Sequence, residues 1–247
     1  VEFTLPIMEG LKDTFPKAEI SVCSDIMVAL RSIKSENELA CIREGFRIVE
    51  LATDEVIKAL KPGVTELQMV GIAQRVIYEN GAEYEGLPMY VFSESSTRHA
   101  ISRSTYKQIG KNDIVQLNLS AKIDGYSPAI GLPVFMGKAE GEKKELVEFC
   151  LKMHDWTTEN LKAGIKADVV PKQFLQMFKD AGYEKNYVYG PCHGTGMIEV
   201  EAPWMETSSD YILQKNMTFQ VDTFISGSTF GCRWEKGIAI KENGVES

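Results

Sequence analysis

Apolar residues at steps of three and four define the first long element. Leu39, Ile42, Phe46, Val49, Ala52, Val56 and Leu60 line one face of a helix, and Ser35 with Glu38 forms a capping-box signature at its start. Pro62-Gly63 ends it. Thr65 caps a second helix through Leu67, Val70, Ile72, Ala73, Val76 and Ile77, which Asn80-Gly81 stops. Residues 88–92, 113–120 and 126–135 then read as strands, with Asp124-Gly125 as the hairpin turn between the last two. The order repeats: a helix carrying Leu146, Phe149, Met153, Trp156 and Leu161, a helix over 168–181, and strands near Tyr187, Phe219 and Ile238.

The repetition extends to particular residues. Lys215-Asn216-Met217-Thr218-Phe219-Gln220-Val221-Asp222 matches Lys111-Asn112-Asp113-Ile114-Val115-Gln116-Leu117-Asn118, with the same Lys-Asn opening and a Gln at the sixth position. The helix-breaking Gly63 and Gly81 are likewise matched by Gly164 and Gly182. A repeat of this length is too long for a solenoid and fits a two-fold duplicated domain. Both strands end in a polar group where a core residue is expected, which places a site between the halves. Residues 1–34 carry short apolar pieces without a long period. They read as a remnant or linker from a missing N-terminal domain, and residues 35–247 as one domain.

Composition narrows the partners. Of the 247 residues 44% are apolar, enough for an ordinary core. A net charge of -8 and a pI near 5.1, with no Lys/Arg stripe, argue against nucleic acid. Five cysteines without a C-x-x-C pair read as reduced thiols of a cytoplasmic protein. No apolar run approaches the roughly 18 residues of a membrane span.

Three histidines are candidates for chemistry. His193 sits among glycines that permit close approach to a ligand, His99 lies in a polar loop, and His154, beside Asp155 in a helix, reads as a surface residue. Glu199, Glu201 and Glu206 form either a solvated edge or, for Glu199 and Glu201, one face of a strand. Trp204 and Trp234 suit a core or a pocket wall equally.

Five words in fixed order carry a resemblance: Arg31-Ser32-Ile33-Lys34-Ser35 with Glu38, Lys61-Pro62-Gly63-Val64-Thr65-Glu66, Asp124-Gly125-Tyr126, His193-Gly194-Thr195-Gly196 and Glu242-Asn243-Gly244. The chain resembles the pita-bread family of methionine aminopeptidase, aminopeptidase P, prolidase and creatinase. The resemblance implies an α+β fold of two pseudo-symmetric α/β halves around a curved antiparallel sheet. It also implies two metal ions on two Asp, one His and two Glu. Those positions fall on Asn118, Ala129, His193, Asp222 and Glu235, so two carboxylates are missing and a dinuclear site is not expected. A second His of the family falls on Val200, while the Glu beside it is kept as Glu201, and an upstream His falls on His99.

Creatinase is similar to this chain at Asn118 and Ala129 and works without metal, although it carries a Glu where Gly131 stands. The resemblance therefore implies a metal-independent hydrolase of a C–N bond in a small polar substrate bearing an amine or guanidinium. In that reading His99 is general acid and base, His193 and Glu201 complete the catalytic set, Asn118, Asp222 and Glu235 bind substrate, and no cofactor is needed. Two alternatives stand beside it. One is an Xaa-Pro aminopeptidase or dipeptidase with a single weakly held divalent metal at His193, Asp222 and Glu235. The other is a non-catalytic pseudo-peptidase that binds peptides. In every case the partner is a small molecule or short peptide, and the family implies a homodimer.

Overall fold

The structure is a computed structural model that describes residues 4–247; residues 1–3 of the expected linker lie outside the described residues. Two short helices, α1 (Leu5–Thr14) and α2 (Ser24–Ser32), precede the duplicated part and bury almost nothing within this chain. The first half then runs α3 (Glu36–Ala59), α4 (Glu66–Glu79), β1 (Tyr90–Phe92), β2 (Ile114–Ser120) and β3 (Ala129–Phe135). The second runs α5 (Gly141–Glu159), α6 (Val169–Asp180), β4 (Tyr187–Tyr189), β5 (Cys192–Gly194), β6 (Glu201–Met205), β7 (Thr218–Ser226), β8 (Gly231–Lys241) and β9 (Gly244–Glu246).

Local signals act as expected at the ends. Ser35 Oγ accepts from Glu38 N at 3.3 Å and Glu38 Oε2 accepts from Ser35 N at 2.7 Å, so both arms of the capping box are made. Asp124 and Gly125 both take positive φ, +47° and +86°, the backbone a two-residue hairpin requires. The strand expected to leave this turn at 126 starts instead at Ala129, because 126–128 are taken by the turn's own bridge between Ile123 and Tyr126.

All strands described belong to one antiparallel sheet with the order β1-β2-β3-β8-β7-β5-β6. Val115, Leu117 and Leu119 of β2 pack on Val49, Ala52 and Val56 of α3 and on Ala73 and Ile77 of α4. Ile225 and Cys232 pack on Leu146, Cys150 and Met153 of α5 and on Phe174 and Phe178 of α6. The alternation of strands then sends Gln116, Asn118, Gln220, Asp222, Arg233 and Glu235 to the other face. They are buried there.

The two half-sheets meet at a narrow seam. Among the described residues β3 and β8 pair at one position, Gly131 opposite Glu235. Pro133, two residues along β3, has no N–H to extend the ladder. The twin glutamines bridge the gap from either side. Gln116 Oε1 accepts from Arg233 N at 2.8 Å while its Nε2 donates to Arg233 O at 3.2 Å, and Gln220 Nε2 donates to Ala129 O at 3.1 Å. Each glutamine reaches over the neighbouring strand and replaces a backbone bond with a side chain.

His154 corrects the sequence reading. It is 8% exposed, not a surface residue, because the buried stripe of α5 widens from Cys150, Met153 and Thr157 to take it in. Burial lowers its pKa, more strongly than Asp155 raises it. Because the folded pKa lies below the unfolded value, the unfolded chain gains this proton first on acidification. The stabilising contribution is present above about pH 6.5 and is lost as pH falls below it.

Two outcomes are expected. Gln116→Leu keeps the volume but strands Arg233 N and O, and urea unfolding should show a loss of about 1–3 kcal/mol. His154→Gln should remove part of the acid sensitivity, so that the stability difference between wild type and variant shifts toward the variant between about pH 7.5 and about pH 5.5.

Candidate active site

The seam builds the site. Tyr90, Asn118, Gly131, Glu235 and Asp222 are direct cross-strand partners in one row that crosses five strands. Asn118 Nδ2 donates to Glu235 Oε2 at 2.7 Å and to Tyr90 Oη at 3.1 Å. Gly131 gives the row its closeness: a Cβ there would lie 2.8 Å from Arg233 Cδ and 2.9 Å from Glu235 Cβ. Ala129, on the same face two residues away, offers a methyl group and no donor.

Arg233, two residues before Glu235, lies over the row. Its Nε is 3.2 Å from Asp222 Oδ1 and its Nη1 is 3.5 Å from Glu235 Oε2, and Nη1 donates to Tyr90 Oη. Rings of Tyr90, Tyr189 and Phe224 surround the guanidinium at 5.9, 5.4 and 6.0 Å. The contact with Asp222 is an ion pair off the hydrogen-bond axis, so Asp222 Oδ1 and Arg233 Nε remain without hydrogen-bond partners among the described residues, as does Asn118 Oδ1.

His193 enters from β5, where its neighbour Gln220 stands on β7. Its Nδ1 lies 3.0 Å from the carbonyl oxygen of Gly194, to which it can only donate, and this leaves Nε2 as the basic nitrogen. Nε2 faces Asp222 Oδ2 at 3.8 Å and Glu199 Oε1 at 3.6 Å. Donor atoms of His193, Asp222 and Glu235 lie within 4.8 Å of one another. The set is dry: Asn118 is 1%, Glu235 3%, Asp222 4%, His193 8% and Glu199 9% exposed. Burial, then the charge of Glu235, pushes the Asp222 carboxyl well above the usual range, and burial with Glu235 and Asp222 does the same to Glu199. One guanidinium is too little positive charge for three carboxylates.

These groups floor a cavity of about 820 Å³ whose walls include Pro88, Tyr187, Tyr189, Val200 and Trp204. The structure thus brings Asn118, His193, Asp222 and Glu235 together, and it does not bring His99 or Glu201 to them. His99 is exposed, on a loop anchored by its N–H to Ser96 O at 3.1 Å; the loop's next turn, Ile101 to Arg103, lines the cavity instead. Glu201 faces the other way, paired with Arg31 and, at 3.4 Å, with the buried Lys34. The register slips between His193 and Gly194, so 195–200 is a bent loop, and Glu199 and Glu201 do not share a face. Arg233, Tyr90 and Glu199 are the site residues that sequence reasoning left out. Arg233 was readable as the i, i+2 neighbour of Glu235 on one strand face.

Comparison with known proteins shows the family and the fold. Residues 40–242 match the model of metallopeptidase family M24, and the chain belongs to that family. It is 27% identical to the uncharacterized peptidase YqhT of Bacillus subtilis, over 92% of this chain and 65% of that protein. It is 23% identical to the Xaa-Pro dipeptidase of Pyrococcus furiosus, over 97% and 69% of the two chains, and 22% identical to a creatinase of a Bacillus species, over 99% and 63%. The solved prolidase from Pyrococcus furiosus superimposes with a TM-score of 0.93 at 22% identity, covering 99% of this chain and 72% of that one. The fold is therefore the pita-bread fold. The chain spans about two thirds of the length of these relatives. Among the described residues no helix is long and apolar enough to cross a membrane.

The row of cross-strand partners makes one strong demand. Gly131→Ala should cost about 1–3 kcal/mol by overpacking, read as a fall in melting temperature, because neither Arg233 nor Glu235 can retreat without breaking the row.

Proposed function

We propose that this chain is a hydrolase of the Xaa-Pro dipeptidase type that cleaves a C–N bond in a short peptide, with one divalent ion held by His193, Asp222 and Glu235. The observation that carries this reading is the division of labour among the ligand atoms. Asp222 Oδ1 and Glu235 Oε2 are turned to Arg233 and Asn118, and His193 Nδ1 to Gly194 O, while Asp222 Oδ2 and His193 Nε2 face each other. Partners behind the ligands fix their orientation, as in metal sites generally. The donor set fits one ion better than two, since Asn118 presents only an uncharged amide oxygen, its Nδ2 being bound to Glu235 and Tyr90, and Ala129 presents nothing. When bound, such an ion would polarise the scissile carbonyl and acidify a water molecule.

The remaining work falls to side chains. Tyr90 and Arg233 anchor the opposite edge of the row, and Tyr187, Tyr189 and Trp204 give the cavity aromatic walls. A metal-free, creatinase-like reaction is the second reading, favoured by the pairing of Arg233 with both carboxylates. Its expected acid and base, His99, is outside the cavity, which weakens it.

The test uses the protein purified with added manganese and assayed on Ala-Pro and Gly-Pro dipeptides. Hydrolysis should be lost on chelation and restored by the metal, and His193→Ala or Asp222→Ala should lower kcat by about 100-fold or more. Turnover of creatine or another guanidinium compound that survives exhaustive chelation would establish the second reading instead.

A further inference from the structure

We propose that Glu199 is a fourth donor to this cation site, and that it supplies a carboxylate in place of those absent at Asn118 and Ala129. The inference rests on the single-ion reading above. Glu199 is not one of the ligand positions implied by the family resemblance; it is an intervening residue of the loop that joins β5 to β6. Yet its side chain is 9% exposed, lines the cavity, and points Oε1 at His193 Nε2 from 3.6 Å.

The loop is held so that this is the place Glu199 must occupy. Gly196 N donates to Ile198 O at 3.1 Å, Ile198 N donates to Glu201 Oε2 at 3.1 Å, and Lys122 Nζ donates to Met197 O at 3.0 Å. Ser127 N donates to Gly196 O at 2.8 Å. Glu201, fixed by Lys34 and Arg31, therefore acts as the loop's anchor, and Glu199 is the residue the loop presents inward.

Electrostatics supplies the reason for an ion. Among the described residues Glu199 has no ion-pair partner except His193, since Arg233 pairs with Asp222 and Glu235. Three buried carboxylates beside one guanidinium are poorly balanced, and Asp222 Oδ1 and Asn118 Oδ1 are buried acceptors without donors. A divalent cation among His193 Nε2, Asp222, Glu235 and Glu199 offsets that imbalance. Two shared protons could do so in part, and the experiment separates the cases.

Chelator-treated wild type, Glu199→Gln, Glu199→Asp and, as a control carboxylate at the exposed end of α5, Glu159→Gln are titrated with manganese. Free ion is followed by electron paramagnetic resonance, and cobalt absorption in the visible reports the ligand set, so no turnover is needed. One ion per chain is expected for wild type, with affinity about 10-fold or more weaker and an altered cobalt spectrum in Glu199→Gln. Glu199→Asp should be intermediate and Glu159→Gln unchanged. Wild-type affinity and an unaltered cobalt spectrum in Glu199→Gln would overturn the proposal while leaving the single ion in place. Wild type that binds no ion would overturn the single-ion reading itself. Circular dichroism checks folding, and if Glu199→Gln does not fold, an unchanged cobalt spectrum in Glu199→Asp overturns the proposal in its stead.

Discussion

Everything at the candidate site depends on how two half-sheets are joined where they pair at only one described position, Gly131 opposite Glu235. A continuous ladder would place side chains at regular spacing and leave no room for a group such as Arg233. A gap would leave backbone polar groups stranded at a large cost. The chain resolves this with Gln116 and Gln220, whose amides complete the hydrogen bonding across the seam from opposite halves. These two glutamines tie together the strands that carry the row from Tyr90 to Asp222.

The same seam concentrates charge. Asp222 and Glu235 face each other on adjacent strands, and the bend after β5 adds Glu199. In water such neighbours repel weakly; buried, the charge of Glu235 raises the affinity of Asp222 and Glu199 for a proton. Arg233 offsets part of this charge and is itself held by three aromatic rings and the Tyr90 hydroxyl, so it is a fixed element of the site and not a mobile counter-ion. What it leaves uncompensated lies on the His193 side, where the basic nitrogen is also found.

What could be read from the sequence divides along the same line. Residues on strands were legible: the matched strands ended at Asn118 and Asp222, the resemblance added Glu235 by position, and the 104-residue offset between the Gln-containing strands is the seam seen from the sequence. Capping and turn signals fixed the helix starts and the Asp124-Gly125 hairpin for local reasons. Residues on loops were not legible. His99 and Glu201 were carried over by position, but a loop's direction is set by what ties it down. Glu201 is tied to Lys34 and Arg31, which lie about 170 residues earlier, and the base of the His99 loop is clamped by the buried Glu66, which accepts from Ser93 and Thr105. His154 escaped for another reason: a buried stripe one residue wider than the helical period suggests cannot be told from sequence.

The seam also separates this chain from the metal-free member it resembles at Asn118 and Ala129. That resemblance breaks at Gly131, where creatinase carries a Glu. A Cβ at this position would lie 2.8 Å from Arg233 Cδ and 2.9 Å from Glu235 Cβ, so a carboxylate side chain at 131 and the observed pose of Arg233 exclude each other. Losing the side chain at 131 is thus not a neutral difference: it is what lets a guanidinium settle between Tyr90, Asp222 and Glu235. With Arg233 there, Asp222 and Glu235 each have one oxygen engaged on the Arg233 and Asn118 side, and the space left for a ligand narrows to the His193 side. That side holds an imidazole nitrogen and the Glu199 carboxylate, groups able to donate to the cation proposed above.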